Sequence, residues 1–250
     1  MQLPFRLAQL RLVCLLSMVI FSASYATSQT FTTTGSMAEP LICQTATPLH
    51  NNTILIAGGT NSKYLKQRQM QQRMRNFITL TPGAQTFVPT GSLNVARGCG
   101  SNATLLNDGT VLITGGSGNT TAELYNPSSN GFGLSTPPSA LHPQGLPIGP
   151  MTAIRYNATA TLLQDGTVLI ARGDIGNNQG STSAEIYNPA TGTFTATTGA
   201  MSTKRTTHTA TLLRDGTVLI AGGQGNISGQ AAWNTAEIYK PSSSPIHHHI

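Results

Sequence analysis

Charge is scarce in this chain: 14 Lys and Arg with 8 Asp and Glu make up only 9% of its 250 residues. That excludes a long charged helical rod, which would be built mostly from Ala, Glu, Lys, Leu and Arg. Aromatic residues are scarce at 6%, with a single Trp, and Cys occurs three times. Beyond the N-terminal region no apolar stretch approaches the roughly 18 residues that a membrane helix requires, so no span is expected in the mature chain. Yet 38% of the residues are hydrophobic, too many for a disordered chain, and the 26 glycines follow no three-residue period, which excludes collagen. Gly, Thr, Ser and Asn are abundant instead, around apolar runs of five or six residues. That pattern predicts many short strands joined by turns.

The first 26 residues read as an export signal. Arg6 and Arg11 precede the apolar stretch Leu12 to Phe21, and the small residues Ser24 and Ala26 stand third and first before a cleavage point after Ala26. A secreted, extracellular or periplasmic location is therefore expected. Removing residues 1–26 leaves 12 basic and 8 acidic residues, a net charge of +4. It also removes Cys14, leaving Cys43 and Cys99 in a compartment where a disulfide persists.

Self-similarity dominates the remainder. Thr104-Leu-Leu-Asn-Asp-Gly-Thr-Val-Leu-Ile-Thr-Gly-Gly116 recurs as Thr161-Leu-Leu-Gln-Asp-Gly-Thr-Val-Leu-Ile-Ala-Arg-Gly173 and as Thr211-Leu-Leu-Arg-Asp-Gly-Thr-Val-Leu-Ile-Ala-Gly-Gly223, with a worn copy at Thr47–Gly59. From Asn51 to Asp108, Asp165 and Asp215 the spacings are 57, 57 and 50 residues. Each unit predicts four strands. Two apolar runs flank Asp-Gly, a strong hairpin signal. A third strand follows at Ala122–Tyr125, Ala184–Tyr187 or Ala236–Tyr239, and a fourth starts at Phe87, Phe132 or Phe194.

On these residues the chain resembles a secreted kelch-repeat protein and is similar to the propeller domain of galactose-oxidase-like proteins. The likeness covers essentially all of the mature chain. It rests on the double glycines Gly58-Gly59, Gly115-Gly116 and Gly222-Gly223 and on the third-strand tyrosines Tyr125, Tyr187 and Tyr239. The fourth-strand aromatic, usually Trp in that family, is Phe here, and Arg172 replaces the first glycine of the third unit. The resemblance implies an all-β fold over residues 27–245, a β-propeller of about four four-stranded blades, with 246–250 as a tail. Phe31-Thr-Thr-Thr-Gly-Ser-Met37 matches Phe87-Val-Pro-Thr-Gly-Ser-Leu93, so an N-terminal strand is expected to complete the last blade and close the ring. The rival expectation is a fragment of a six- or seven-bladed propeller.

Antiparallel neighbours reverse at every turn, so the turns from strands one to two and three to four share one face. The irregular connections 60–76, 117–121, 137–150, 174–183 and 224–235 share the other, where a ligand is expected. Arg97, Arg155 and Arg205 open the first strands of units two to four, and Glu123, Glu185 and Glu237 open their third strands. The first unit has Leu41 and Ile78 at those places. Joint presence and joint absence predict structural ion pairs. Cys43 and Cys99 stand at the starts of consecutive first strands, one residue out of phase. They bond if their Cα atoms fall within about 7 Å and stay free thiols otherwise.

Ser62 to Phe77 carries Lys63, Lys66, Arg68, Arg73 and Arg75 with no acid, Gly or Pro, and reads as a short helix. Without those five charges the mature chain has 7 basic and 8 acidic residues, so the whole positive balance lies there. It reads either as a contact for an anionic partner or as a solvated insert. Around the expected pocket the candidate ligand-binding residues are Arg97, Tyr156, Arg172, Arg205, His208 and Trp233, joined by the basic insert. A copper-radical oxidase of the galactose oxidase kind needs two Tyr and two His on one metal and a Cys crosslinked to Tyr, and no spacing here singles out such a set. The expectation is a monomeric binding module for extracellular glycan or protein, anionic partners included and nucleic acid not, with no cofactor, metal site or catalytic residue. The alternatives are a galactose-oxidase-like oxidase and a propeller fragment without activity of its own.

Overall fold

The computed structural model describes residues 33–37, 40–60, 74–81, 86–116, 118–134, 148–174, 180–225 and 232–242. The chain divides into two compact units, Met1–Thr34 and Gly35–Ile250. Of the first, only 33–34 are described, and neither is in a strand. The second holds all the described strands, and no described residue is helical. The export signal, 1–26, and the tail, 246–250, lie outside the described residues.

Four antiparallel sheets follow one another along the chain. The first joins β1 (Thr45–Pro48), β2 (Ile54–Ala57), β3 (Met74–Thr81) and β4 (Thr86–Arg97). The second joins β5 (Ser101–Leu105), β6 (Val111–Gly115), β7 (Glu123–Asn126) and β8 (Gly131–Leu134). The third joins β9 (Thr159–Leu162), β10 (Val168–Ala171), β11 (Ala184–Asn188) and β12 (Thr193–Ala196). The fourth has β13 (Thr209–Leu212), β14 (Val218–Ala221) and β15 (Ala236–Tyr239).

The repeated Asp-Gly-Thr tripeptide has a local cause. Leu106 N–H donates to the Thr110 carbonyl at 2.8 Å and Gly109 N–H to the Leu106 carbonyl at 3.0 Å, leaving Asn107, Asp108 and Gly109 as a three-residue loop. Gly109 sits at φ +85°, the left-handed position that closes such a loop. Asp108 Oδ1 accepts both the Thr110 N–H, at 2.9 Å, and its hydroxyl, at 2.7 Å. Asp165 with Thr167 and Asp215 with Thr217 repeat the bonds. In the worn first copy Asn51 supplies the acceptor to Thr53, and Asn52 takes the glycine's place at φ +61°. Asn is among the few residues that tolerate that conformation.

Alternation along the second strands builds the core, because successive side chains point to opposite faces. Val111 and Ile113 pack toward the first sheet with Leu55, Leu93 and Tyr125. Leu112 points the other way, with Leu106 and Leu124, against Val168, Ile170 and Tyr187 of the third sheet. Leu169 and Ala171 then meet Val218 and Ile220 of the fourth. Each cluster thus lies between consecutive sheets, and β6 and β10 are buried on both faces, which is why their sequences are unbroken apolar runs. Each such Leu or Ile contributes roughly 1.5–3 kcal/mol by burial. The first strands are neighbours in the order β1, β5, β9, β13.

Two expectations are corrected. Residues 33–37 form no strand and the fourth sheet stops at three, so no sheet pairing among the described residues closes the stack. The short helix over Ser62–Phe77 fails at its end, because Met74–Phe77 belongs to β3. There Met74 pairs with Arg97 and Asn76 with Ser92 of β4, with register shifts between them, and the strand runs on into Ile78–Leu80, which lies between β2 and β4, so ladder pairing overrides a helix-compatible composition.

Candidate functional site

The arginines and glutamates come together in all three units. Arg97 Nη2 lies 3.2 Å from Glu123 Oε1, Arg155 Nε donates to Glu185 Oε1, and Arg205 Nη2 lies 3.3 Å from Glu237 Oε1. In the register, Glu123, Glu185 and Glu237 face Ile113, Ile170 and Ile220, as Ile78 faces Ile56 in the first sheet.

Each pair is the centre of a larger lock. The second carboxylate oxygen accepts a backbone N–H from the chain that leads into the sheet: Asn94, on β4 of the first sheet, at 2.8 Å, Thr152 at 2.6 Å and Ser202 at 2.7 Å. The guanidinium also donates to the carbonyl that ends the second strand, Gly115 at 2.8 Å, Arg172 at 3.1 Å and Gly222 at 2.8 Å. Finally it reaches the hydroxyl of Thr121, Ser183 or Thr235, at 3.2, 3.2 and 2.6 Å. The preceding segment, the second strand and the third strand are therefore tied at one end of the sheet. The hydroxyls carry a readable sequence signal, Thr or Ser two residues before each Glu, with Asn76 before Ile78 in the first unit.

Neighbouring connections are stitched to one another at the same end. Tyr156 bridges Asp174, Asp174 bridges Gly180, Ser181 bridges Arg205, and Thr206 bridges Gln224. Gly180 N–H donates to the Gly225 carbonyl at 3.0 Å. Cys43 and Cys99 are disulfide-bonded with Cα atoms 5.0 Å apart, tying the segment before β1 to the one before β5.

Several candidate ligand residues hold other posts. Arg97, Arg172 and Arg205 are fully buried, and His208 is 6% exposed. None of the four lines either groove described below, and Arg97 and Arg205 give their hydrogen bonds to a carboxylate, backbone carbonyls and a threonine hydroxyl. Arg172 occupies a left-handed position, φ +58°, where Gly115 and Gly222 stand at +70° and +68°. Its side chain crosses to the fourth sheet, Nη2 lying 2.6 Å from Glu237 Oε1 and Nε donating to Met201 Sδ. Tyr156 is half-buried, whereas Trp233 is 38% exposed and its indole N–H donates to the Lys204 carbonyl at 3.0 Å. Lys63, Lys66, Arg68 and Arg73 lie outside the described residues, and Arg75 falls within β3.

Charge is unevenly spread. Glu123 and Glu185 each serve one arginine, but Glu237 serves two. Burial raises the Glu237 carboxyl, yet the Ser202 N–H and the Arg172 charge outweigh it and hold the group below the usual carboxylate range. Burial, opposed by Glu237 and reinforced by Arg205, brings Arg172 down to about 10. Burial and then the charges of Arg172 and Arg205 bring His208 down to about 4.

No family model matches the chain, and no curated protein matches it. The chemistry is therefore read from its own residues. Among those described, no group of three His, Cys, Asp or Glu side chains gathers to hold a metal. An open groove of about 420 Å³ runs along β15, lined by Ile186, Thr195, Met201, Ile238 and Tyr239. A second, of about 360 Å³, lies between the His50–Asn51, Asp108–Thr110 and Asn126–Ser128 turns.

Proposed function

We propose that the chain is a kelch-type β-propeller of four blades that serves as a binding module for extracellular glycan or protein. Its binding face is the one formed by the connections between second and third strands and by the linkers between blades. The observation that carries this reading is Trp233, a residue 38% exposed whose indole N–H is tethered to Lys204. A fixed, exposed indole is a stacking platform for the apolar face of a sugar ring, available at little entropic cost. The Arg–Glu locks below it support the reading too, since a rigid frame limits the ordering cost of binding.

The outer edge of β15 and the groove along it are open among the described residues. Ile54 and Ile56 on β2, with Leu219 on β14 and Ile238 on β15, point away from the three core clusters and are only part-buried or exposed. They are the apolar surface that a fourth interface between blades would cover.

A glycan array probed with the mature protein tests the function, with Trp233→Ala and a deletion of residues 62–76 alongside. Binding is expected to fall at least tenfold in Trp233→Ala, and to fall for anionic glycans in the deletion. Binding unchanged in Trp233→Ala overturns the platform, anionic binding unchanged at low salt overturns the insert's part, and copper-dependent peroxide release from a sugar overturns the non-enzymatic reading.

A further inference from the structure

The junctions between consecutive sheets are built from the same two unlike halves. Between the second and third sheets, Leu106, Leu112 and Leu124 of one meet Val168, Ile170 and Tyr187 of the other, all of them buried. The ladder register fixes the correspondence from sheet to sheet. Val111 opposite Tyr125, Val168 opposite Tyr187 and Val218 opposite Tyr239 mark the half turned toward the preceding sheet. Leu112 opposite Leu124 and Leu169 opposite Ile186 mark the half turned toward the next.

One half of each kind is left over. The first sheet has Ile54 opposite Leu80, with Ile56 two residues on, where the second has Val111, Tyr125 and Ile113. The fourth has Leu219 opposite Ile238, with Leu213 before the turn, where the second has Leu112, Leu124 and Leu106. Leu106, Leu112, Val111 and Ile113 are at most 1% exposed. Their counterparts Ile54, Ile56, Leu80, Leu213 and Leu219 are only part-buried, and Ile238 is 45% exposed. Among the described residues the two leftover halves do not cover each other, since β1 and β13 do not pack together as β1 with β5, β5 with β9 and β9 with β13 do. Apolar surface of this kind marks an interface.

The occupant follows from the pattern. Each leftover half is the kind that the other packs against in the three existing junctions, and no junction pairs like with like. A second copy of the chain therefore fits head to tail. Such a contact either closes into a ring or runs on as a filament. Two copies bring together eight sheets, the upper end of the usual range of about four to eight blades, and three copies exceed it. We propose that two copies close one eight-bladed ring, Leu213, Leu219 and Ile238 of each packing on Ile54, Ile56 and Leu80 of its partner. The inference rests on the propeller reading and not on the nature of the ligand. Its consequence for function is bivalency. The twofold axis runs along the channel, so both binding faces look the same way and two Trp233 platforms share one surface, able to grip a polymer at two points.

Sedimentation velocity of the mature protein at micromolar concentration tests the ring, in the wild type, in Leu219→Lys and in Ile54→Glu. The wild type is expected to run as a dimer and each variant as a monomer, with circular dichroism reporting that the variants are folded. An equimolar mixture of the two variants is expected to run as a dimer again, because one of its junctions is then native and the other sets Lys against Glu. A monomeric wild type, an open-ended series of larger species, a dimer indifferent to either substitution, or a mixture that stays monomeric overturns the proposal. Should the variants not fold, a crystal structure of the wild type decides. Two chains in one eight-bladed ring support the proposal. Four sheets closed into a ring by one chain overturn it and leave the propeller reading standing, whereas sheets in no ring overturn both.

Discussion

Arg172 and Arg205 donate to the same oxygen, Glu237 Oε1, at 2.6 and 3.3 Å, although they come from different sheets. One carboxylate thus closes a lock within the fourth sheet and ties that sheet to the third. Neither Glu123 nor Glu185 has this double duty. Removing its charge leaves two buried guanidinium groups facing each other. Glu237→Gln is expected to cost about 3–5 kcal/mol, the range for orphaning a buried ion. Adding Arg172→Gly is expected to recover part of that loss, because it removes one of the two cations. Chemical denaturation of the single and double variants measures both, and strict additivity would show that Arg172 and Glu237 are not coupled.

Arg155 and Glu185 form the simplest of the locks, with side chains 1% and 0% exposed. Either alanine substitution leaves the opposite charge stranded, and each is expected to cost about 3–5 kcal/mol. The double variant strands neither ion, so its loss should fall well short of the sum. A double-mutant cycle by urea unfolding gives the coupling directly, and a coupling below about 0.5 kcal/mol contradicts the lock.

Cys43 and Cys99 are 56 residues apart in sequence. Closing a loop of that length restricts the unfolded chain, an effect of about 4 kcal/mol on the chain-entropy account. Replacing both by Ser should lower stability by a few kcal/mol, and thiol titration of the folded, unreduced protein should find neither reactive. Two reactive thiols would falsify the bond.

Much of this architecture was legible because each unit states it again. The Asp-Gly-Thr turn, the apolar run after it and the third-strand Tyr mark the same places in each sheet, and Ile78 for Glu with Leu41 for Arg betrayed the pairing by missing together. The destination of Arg172 was not legible. A cation in place of glycine suggested an exposed contact, but at φ +58° the side chain is directed toward the next sheet, a consequence of backbone geometry that composition does not carry. The backbone amides of Asn94, Thr152 and Ser202 from which the glutamates accept were hidden for a related reason, since a backbone N–H has no letter of its own. At Met74–Phe77 the pattern misled outright, because what fixes that stretch is pairing with β4 and its continuity with Ile78–Leu80 between β2 and β4, and not its own residues.

His208 provides the pH dependence. It is 6% exposed, its Nε2 meets Thr159, and the charged groups acting on it are Arg172 and Arg205. Its folded-state value of about 4 lies below the unfolded value near 6.5, so the folded state takes up its proton later than the unfolded state does as pH falls. The contribution to stability is therefore intact above about pH 6.5, declines as pH falls toward 4, and totals on the order of 3 kcal/mol across that window. His208→Ala places there the residue found at the matching position of the third unit, Ala158. The wild type should lose stability between about pH 6.5 and 4.5 with a slope approaching about 1.4 kcal/mol per pH unit, and the variant should be nearly flat there. Parallel curves for the two proteins over that window would mean that the imidazole titrates as a solvated group, which its burial between two arginines argues against.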